Sequence, residues 1–204
     1  MRRNTRMAAL TGAAVVLLAG CGGPDEGGGV SVGEATATGG SGSASRAVLR
    51  KADGAEVGTV LFTEVSAGTE IVTEVQGLEP GFYGFHVHGR GRCEPDSAAP
   101  EEPARTGDFL SAGGHLGAEA GEHPGHAGDL PSLYVTGNGE GLLMVVTDRF
   151  GVDELTTGDG SAVLIHSGPD NFANVPERYA PGGPDEATRR TGDAGSRLAC
   201  GVVG

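Results

Sequence analysis

Eight short runs, each rich in β-branched or apolar residues and each closed by turn chemistry, constrain this chain most. They are Arg46–Lys51, Glu56–Val65, Thr69–Gln76, Gly81–His88, Leu133–Gly137, Gly141–Thr147, Ser161–His166 and Arg197–Val203. Asp53-Gly54, Ala67-Gly68, Glu79-Pro80-Gly81, Asn138-Gly139 and Asp159-Gly160 punctuate them. Asn-Gly between two β-rich runs is a hairpin signal, because type I′ turns need positive φ at both central residues. Helical periodicity is nowhere sustained. Many short strands with Gly-rich turns imply an all-β antiparallel sandwich or barrel. Two stretches, Gly89–Pro131 and Ser167–Ser196, are too long to be turns. Long loops in compact domains usually carry function, and both begin directly after a histidine.

The amino terminus reads as a targeting device. Arg2, Arg3 and Arg6 precede a short apolar stretch, Met7–Gly20, which has the charge flank of a secretory signal and is too short to span a bilayer comfortably. Its ending, Leu18-Ala19-Gly20-Cys21, resembles a bacterial lipobox, which implies cleavage after residue 20 and acylation of Cys21. An ordinary signal peptide whose Cys happens to follow Gly is the alternative. Residues 21–45 are then the acylated cysteine and a tether, with nine glycines and no Leu, Ile or Phe between 22 and 45. Such a segment buries too little apolar surface to order, and has a reach of roughly 25–30 Å. Residues 46–204 form one domain. Losing residues 1–20 removes three arginines and no acid, taking the formal charge from −13 to −16. So acidic a chain argues against nucleic acid as a partner. The expected location is the cell envelope, lipid-anchored to the outer side of the cytoplasmic membrane or periplasmic.

With Cys21 assigned to the anchor, Cys93 and Cys200 remain. In an exported protein the economical expectation is a Cys93–Cys200 disulfide, and two free buried thiols are the alternative.

All six histidines fall between positions 86 and 166. In a strand, His86 and His88 project from one face while Val87 faces the other way. His115 follows Ser111-Ala112-Gly113-Gly114, where glycines let the backbone approach closely, and His166 ends the apolar run Ala162–Ile165. Taken singly, His-x-His or a strand-end histidine is a weak signal. Four histidines from three segments suit a copper site of nitrogen ligands. His115, His123, His126 and Asp129, with Pro124, Gly125 and Gly128 as bends, can close a tetrahedral zinc site; a polar loop with incidental histidines is the alternative.

Together Gly84-Phe85-His86-Val87-His88, Gly91-Arg92-Cys93, Ser111–His115, Gly128-Asp129-Leu130, Val163–His166 and Thr191–Gly201 resemble the copper/zinc superoxide dismutase family over roughly residues 46–204. The resemblance implies a Greek-key antiparallel eight-stranded β-barrel or sandwich with two long functional loops. It also implies that His86, His88, His115 and His166 hold copper, and that His115 bridges to zinc held with His123, His126 and Asp129. Asp170 matches the carboxylate that ties a copper ligand to a zinc ligand, and Arg197 the arginine that orients the anionic substrate. The implied reaction is disproportionation of superoxide to dioxygen and hydrogen peroxide by Cu(II)/Cu(I) cycling. In it, His115 leaves Cu(I), takes a proton and passes it to the forming peroxide.

One departure concerns the segment from His115 to Asp129, several residues shorter than in typical zinc-containing members. Some relatives with short loops here hold copper alone, so both metal contents stay open at this point. A copper-binding or copper-delivering envelope lipoprotein without catalysis is the rival reading, although a carrier needs neither Arg197 nor a bridging ligand. A zinc hydrolase would need an open zinc, whereas the zinc set here has four protein ligands. The acids of the last loop outnumber Arg178, Arg189 and Arg190 by five to three, so its composition does not argue for anion steering. The sequence sets no oligomeric state.

Overall fold

A computed structural model describes residues 42–204; the signal, Cys21 and almost all of the tether lie outside the described residues. The barrel wall is built from β1 (Ala44–Arg50), β2 (Glu56–Val65), β3 (Gly68–Gln76), β4 (Gly81–Tyr83), β5 (Phe85–His88), β8 (Leu133–Val135), β9 (Glu140–Thr147), β10 (Ala162–His166) and β11 (Arg197–Val202). A two-stranded hairpin within the first long loop supplies β6 (Ser97–Ala98) and β7 (Thr106–Gly107). The order of the main sheet is β4-β8-β9-β3-β2-β1-β11-β10-β5, with antiparallel pairing throughout. Its two ends, β4 and β5, are consecutive halves of one strand separated by Gly84. The sheet therefore closes on itself as an eight-stranded barrel, and the connections from β3 to β4 and from β9 to β10 cross it in Greek-key fashion.

Alternation decides which side chains enter the barrel. On β3, Thr69, Ile71, Thr73 and Val75 point inward, and on β2 so do Val60 and Phe62, with Val57 also buried because the register with β1 shifts beside it. They meet Leu49, Phe85, Val87, Leu133, Leu155, Val163 and Ile165 in one core. Fully burying each such side chain is worth roughly 1.5–3 kcal/mol. β5 and β10 differ, because every residue in them is buried. Val163 and Ile165 of β10 face the barrel core, whereas Ala162 and Leu164 face a second apolar cluster with Phe109, Ala112 and Cys200. Coverage on both faces explains why this strand reads as an unbroken apolar run. On β5 the inward residues are Phe85 and Val87, leaving His86 and His88 on the outer wall beneath the loops.

The strand expectations hold to within two residues. β1 begins earlier than the expected domain boundary at 46: Ala44 pairs with Thr63 and Ser45 with Phe62, while the Ser43 carbonyl accepts from Glu64 N–H and the Ser43 N–H donates to the Glu64 carboxylate. An extended chain lying along a free strand edge has its backbone donors and acceptors satisfied there, whatever its side chains. The expected hairpin is present but not as a type I′ turn: Gly139 alone has positive φ, at 82°, its N–H donates to the Thr136 carbonyl at 2.9 Å, and Thr136 N–H donates to the Glu140 carbonyl at 2.8 Å. The second long loop contains a short helix, α1 (Glu186–Thr191), capped by the Asp185 side chain and ended by Gly192 at φ 61°.

Candidate metal centre

The second long loop reaches the outer wall at Gly84, where any side chain would collide: a Cβ there would lie 2.5 Å from that of Ala194 and 3.3 Å from His86 Cε1. The first long loop is laced to β5 by Val87, whose N–H donates to Gly128 and whose carbonyl accepts from Leu116. Isolated bridges then pair His86 with Asp129 and His88 with His115. Both loops thus lay their polar residues over the two histidines of β5.

His86, His88, His115 and His166 are all buried, and one donor atom from each lies within 4.8 Å of the others. Hydrogen bonds show which nitrogen is free. His88 Nδ1 donates to the Gly113 carbonyl at 2.9 Å, leaving Nε2, which lies 3.4 Å from His166 Nε2. His166 Nδ1 faces the Gly195 carbonyl at 3.4 Å. His115 Nδ1 sits 2.7 Å from Asp129 Oδ1, so its Nε2 faces the other way. His86 is turned over: its Nε2 meets Asp170 Oδ2 at 2.8 Å, and its Nδ1 is buried with no partner. An orphaned buried polar atom costs about 1–3 kcal/mol, a cost that a bound ion removes. Neutral nitrogens at this spread fit copper or zinc, whose bonds to imidazole are ~2.0–2.1 Å.

A second group forms around Asp129. His115 Nδ1, His123 Nδ1 and His126 Nδ1 stand 2.7, 2.9 and 3.1 Å from its carboxylate oxygens. His123 Nδ1 makes no aligned hydrogen bond despite that proximity, and is the second buried orphan among the imidazoles. His86, His115, His123 and Asp129 each offer a donor atom within 4.8 Å of the others, a group that does not include His126. Asp170 joins the two groups, since its Oδ1 meets His123 Nε2 at 2.9 Å and its Oδ2 meets His86 Nε2 at 2.8 Å. Gly192 is the neighbour that allows this. A Cβ there would lie 2.0 Å from Asp170 Oδ1.

Electrostatics prepare both groups for cations. Burial pushes His88 and His166 well below the ordinary histidine value, with Arg197 and neighbouring imidazoles adding to the effect. Burial also lowers His115 to about 4, against the pull of Asp129. These rings are neutral at pH 7, the form that binds metals. Burial works in the same direction on His123, but the Asp129 and Asp170 carboxylates prevail and raise it to about 9. Burial opposes ionisation of Asp129 and Asp170, yet hydrogen bonds from His115 and His123, and from His123 and His86, hold them far below the usual carboxylate range.

Arg197 opens β11 beside this site, and its Nη1 and Nη2 donate to the carbonyls of Phe109 and Gly113. Burial, then nearby Arg105, lowers it to about 10, so it remains cationic at neutral pH. It lines a cleft of about 910 Å³ together with His88, His115 and His166. Arg90, Arg105 and Arg190 share the rim with Glu101, Glu119, Glu186 and Asp193, so cationic character is concentrated at Arg197 rather than spread over the rim. A second concavity of similar size lies among Glu56, Glu74 and Glu140 and has no histidine in its lining.

Cys93 and Cys200 form the expected disulfide, across 107 residues of sequence. It packs against Phe109 and Ala112, fastening the first loop to β11 near Arg197. Such bonds persist in oxidising compartments, which accords with an exported protein.

Sequence reasoning missed the groups that aim the ligands. Gly113, Phe109 and Gly195 act through carbonyls, which no residue type advertises. Arg149, whose Nη1 donates to the carbonyls of Pro124 and His126 at 3.0 Å each, looks like any surface arginine after a strand. Phe172 stacks on His123 at 6.2 Å between ring centres.

Residues 56–203 match the family model described as copper/zinc superoxide dismutase. The Cu-Zn superoxide dismutase of Mycobacterium tuberculosis is 48% identical over 170 residues, spanning 76% of this chain and 68% of that protein. The Escherichia coli K12 enzyme of the same name is 34% identical over 157 residues, 74% and 80% of the two chains. The solved structure of the Cu/Zn superoxide dismutase from Brucella abortus superposes with a TM-score of 0.60 at 29% identity, covering 78% of this chain and 99% of that one. A closed Greek-key barrel, two histidine clusters on its outer wall and these likenesses lead to one conclusion: the chain belongs to the copper/zinc superoxide dismutase family.

Proposed function

We propose that the copper of this superoxide dismutase is held by His86 Nδ1 and by the Nε2 atoms of His88, His115 and His166, and its zinc by Asp129 and the Nδ1 atoms of His115, His123 and His126. The reaction consumes two superoxide anions and two protons and releases dioxygen and hydrogen peroxide. Bound copper, alternating between Cu(II) and Cu(I), supplies the acceptor for one electron and the donor for the next. Arg197 draws the anion into the cleft and orients it, its guanidinium held by two carbonyls. A cation focused in a cleft raises encounter rates even on an acidic protein. His115 presents Nδ1 to Asp129 and leaves Nε2 facing the copper group, so Nε2 is the atom that holds a proton and yields it to the departing product. The convergence of four buried imidazoles within 4.8 Å carries this reading. Metal analysis and superoxide decay measured on one preparation test it. Protein that binds one copper yet leaves superoxide decay at the background rate would be a carrier instead.

The proposed cellular setting is an envelope lipoprotein: signal peptide 1–20, acylated Cys21, tether, then the catalytic domain. Its support is the arginine-flanked apolar stretch ending in Ala19-Gly20-Cys21, together with the disulfide. Among the described residues no helix is long and apolar enough to cross a membrane, which leaves the anchor as the proposed attachment. Cys21→Ser is expected to move the protein from the membrane fraction to the soluble envelope fraction. Unchanged fractionation would refute the anchor.

A further inference from the structure

The residues of the proposed zinc group differ in how their backbones are held. His115 is bridged to His88 and Asp129 to His86, both on the barrel wall. His123 donates its N–H to the Arg189 carbonyl at 2.7 Å. His126 has no such tie to the wall or to the second loop. Among the described residues, its main chain is bonded by Asp129, three residues on, and by Arg149. It is also the one ring of the proposed zinc set that is not in the group of His86, His115, His123 and Asp129.

From this we infer that Arg149 is a positioning residue for the zinc site, holding His126 in place through the peptide carbonyls on either side of Gly125. Its Nη1 donates to Pro124 and His126 at 3.0 Å each, so one cationic donor closes the turn that carries the ring. Hydrogen bonds from a charged donor are roughly twice as strong as neutral ones. Arg149 stands two residues beyond the end of β9, and its N–H donates to the hydroxyl of Thr147, the last residue of that strand, at 3.2 Å. The short loop between His115 and Asp129 leaves little chain to shape the site unaided, and Arg149 supplies the missing fastening from outside the loop.

The inference rests on His126 being a zinc ligand, so the experiment compares Arg149→Ala, Arg149→Lys and His126→Ala in the full domain with its disulfide intact. Zinc and copper affinities are read by chelator competition, and cobalt(II) at the zinc site by its visible absorption. The expected result for Arg149→Ala is zinc affinity about tenfold weaker, the low end for outer-shell partners. Copper affinity and the melting temperature of the metal-free protein stay unchanged, the cobalt spectrum alters, and Arg149→Lys recovers part of the loss. If His126→Ala weakens zinc and Arg149→Ala does not, the role of Arg149 fails while the zinc ligand set stands. Unchanged zinc affinity in His126→Ala overturns both. Equal losses of copper and zinc, or a metal-free protein melting lower, would show Arg149 to be general scaffolding.

Discussion

Arg197 and His88 hydrogen-bond to the same atom, the carbonyl oxygen of Gly113: Arg197 through Nη2, and His88 through Nδ1 at 2.9 Å. One peptide group thus sets the tautomer of an imidazole of the proposed copper group and the direction of the cation proposed to meet the substrate. The donated Nδ1–H leaves the Nε2 lone pair for the metal.

Removing the cation while leaving that carbonyl in place separates the two tasks. Arg197→Ala is expected to retain copper, to lower kcat/KM by about ten- to a hundredfold, and to lose most of its dependence on ionic strength. Steady-state superoxide decay at several salt concentrations, alongside copper content, measures all three. Rates unchanged from the parent would remove Arg197 from the mechanism.

Asp170 joins His86 to His123 with two bonds of 2.8 and 2.9 Å. In Asp170→Ala both imidazoles lose their acceptor, so each of the two histidine groups loses a fixed ring. Metal affinities should fall about 10- to 100-fold at both sites, with zinc and copper weakened together. Asp129→Asn should weaken zinc far more than copper. Chelator titrations of both variants check the contrast.

The disulfide encloses a long stretch of chain, 107 residues from Cys93 to Cys200. Breaking it by Cys93→Ser with Cys200→Ser is expected to cost about 2–5 kcal/mol in denaturant unfolding. Turnover per bound copper should also fall, because Phe109 packs on this disulfide and its carbonyl holds Arg197.

Acid should destabilise the metal-free protein earlier than carboxylate titration alone would. His88, His115 and His166 are depressed in the folded state, His115 to about 4. Between pH 6.5 and 4 the unfolded chain binds protons there that the folded one does not. Stability therefore falls as pH drops, by up to about 1.4 kcal/mol per pH unit for each ring. His123, raised to about 9, works the other way: its contribution is complete below pH 6.5 and disappears as pH climbs toward 9. Asp129 and Asp170 add a further loss below about pH 4. Melting temperatures of the metal-free protein should peak near pH 6.5–7. A flat profile from pH 4 to 7 would contradict the buried neutral rings.

The parts legible in the sequence were those whose side chains repeat with the backbone. Ile71, Thr73 and Val75 alternate with outward residues, and the His86-Val87-His88 triplet shows the same period of two. Asp129 was legible from its spacing after His115, His123 and His126, whereas Asp170 was legible only by likeness to a known pattern. Ala44 and Ser45 carry no strand signature, and they pair because an edge is free beside them. Helix α1 spans six residues, too few for periodicity, although Asp185 and Gly192 mark its ends. Carbonyls and Arg149 were invisible because what they do depends on three-dimensional approach alone.

The strand halves β4 and β5 lie at opposite ends of the sheet order, so the seam of the cylinder runs beside His86 and His88. Its closing partner is β10, whose last residue is His166. A nascent chain stopped between residues 126 and 161 owns five of the six imidazoles, but not β10 or His166. The four-histidine group is consequently the last part of the site to be assembled, gathered only when the last strands of the barrel wall are in place.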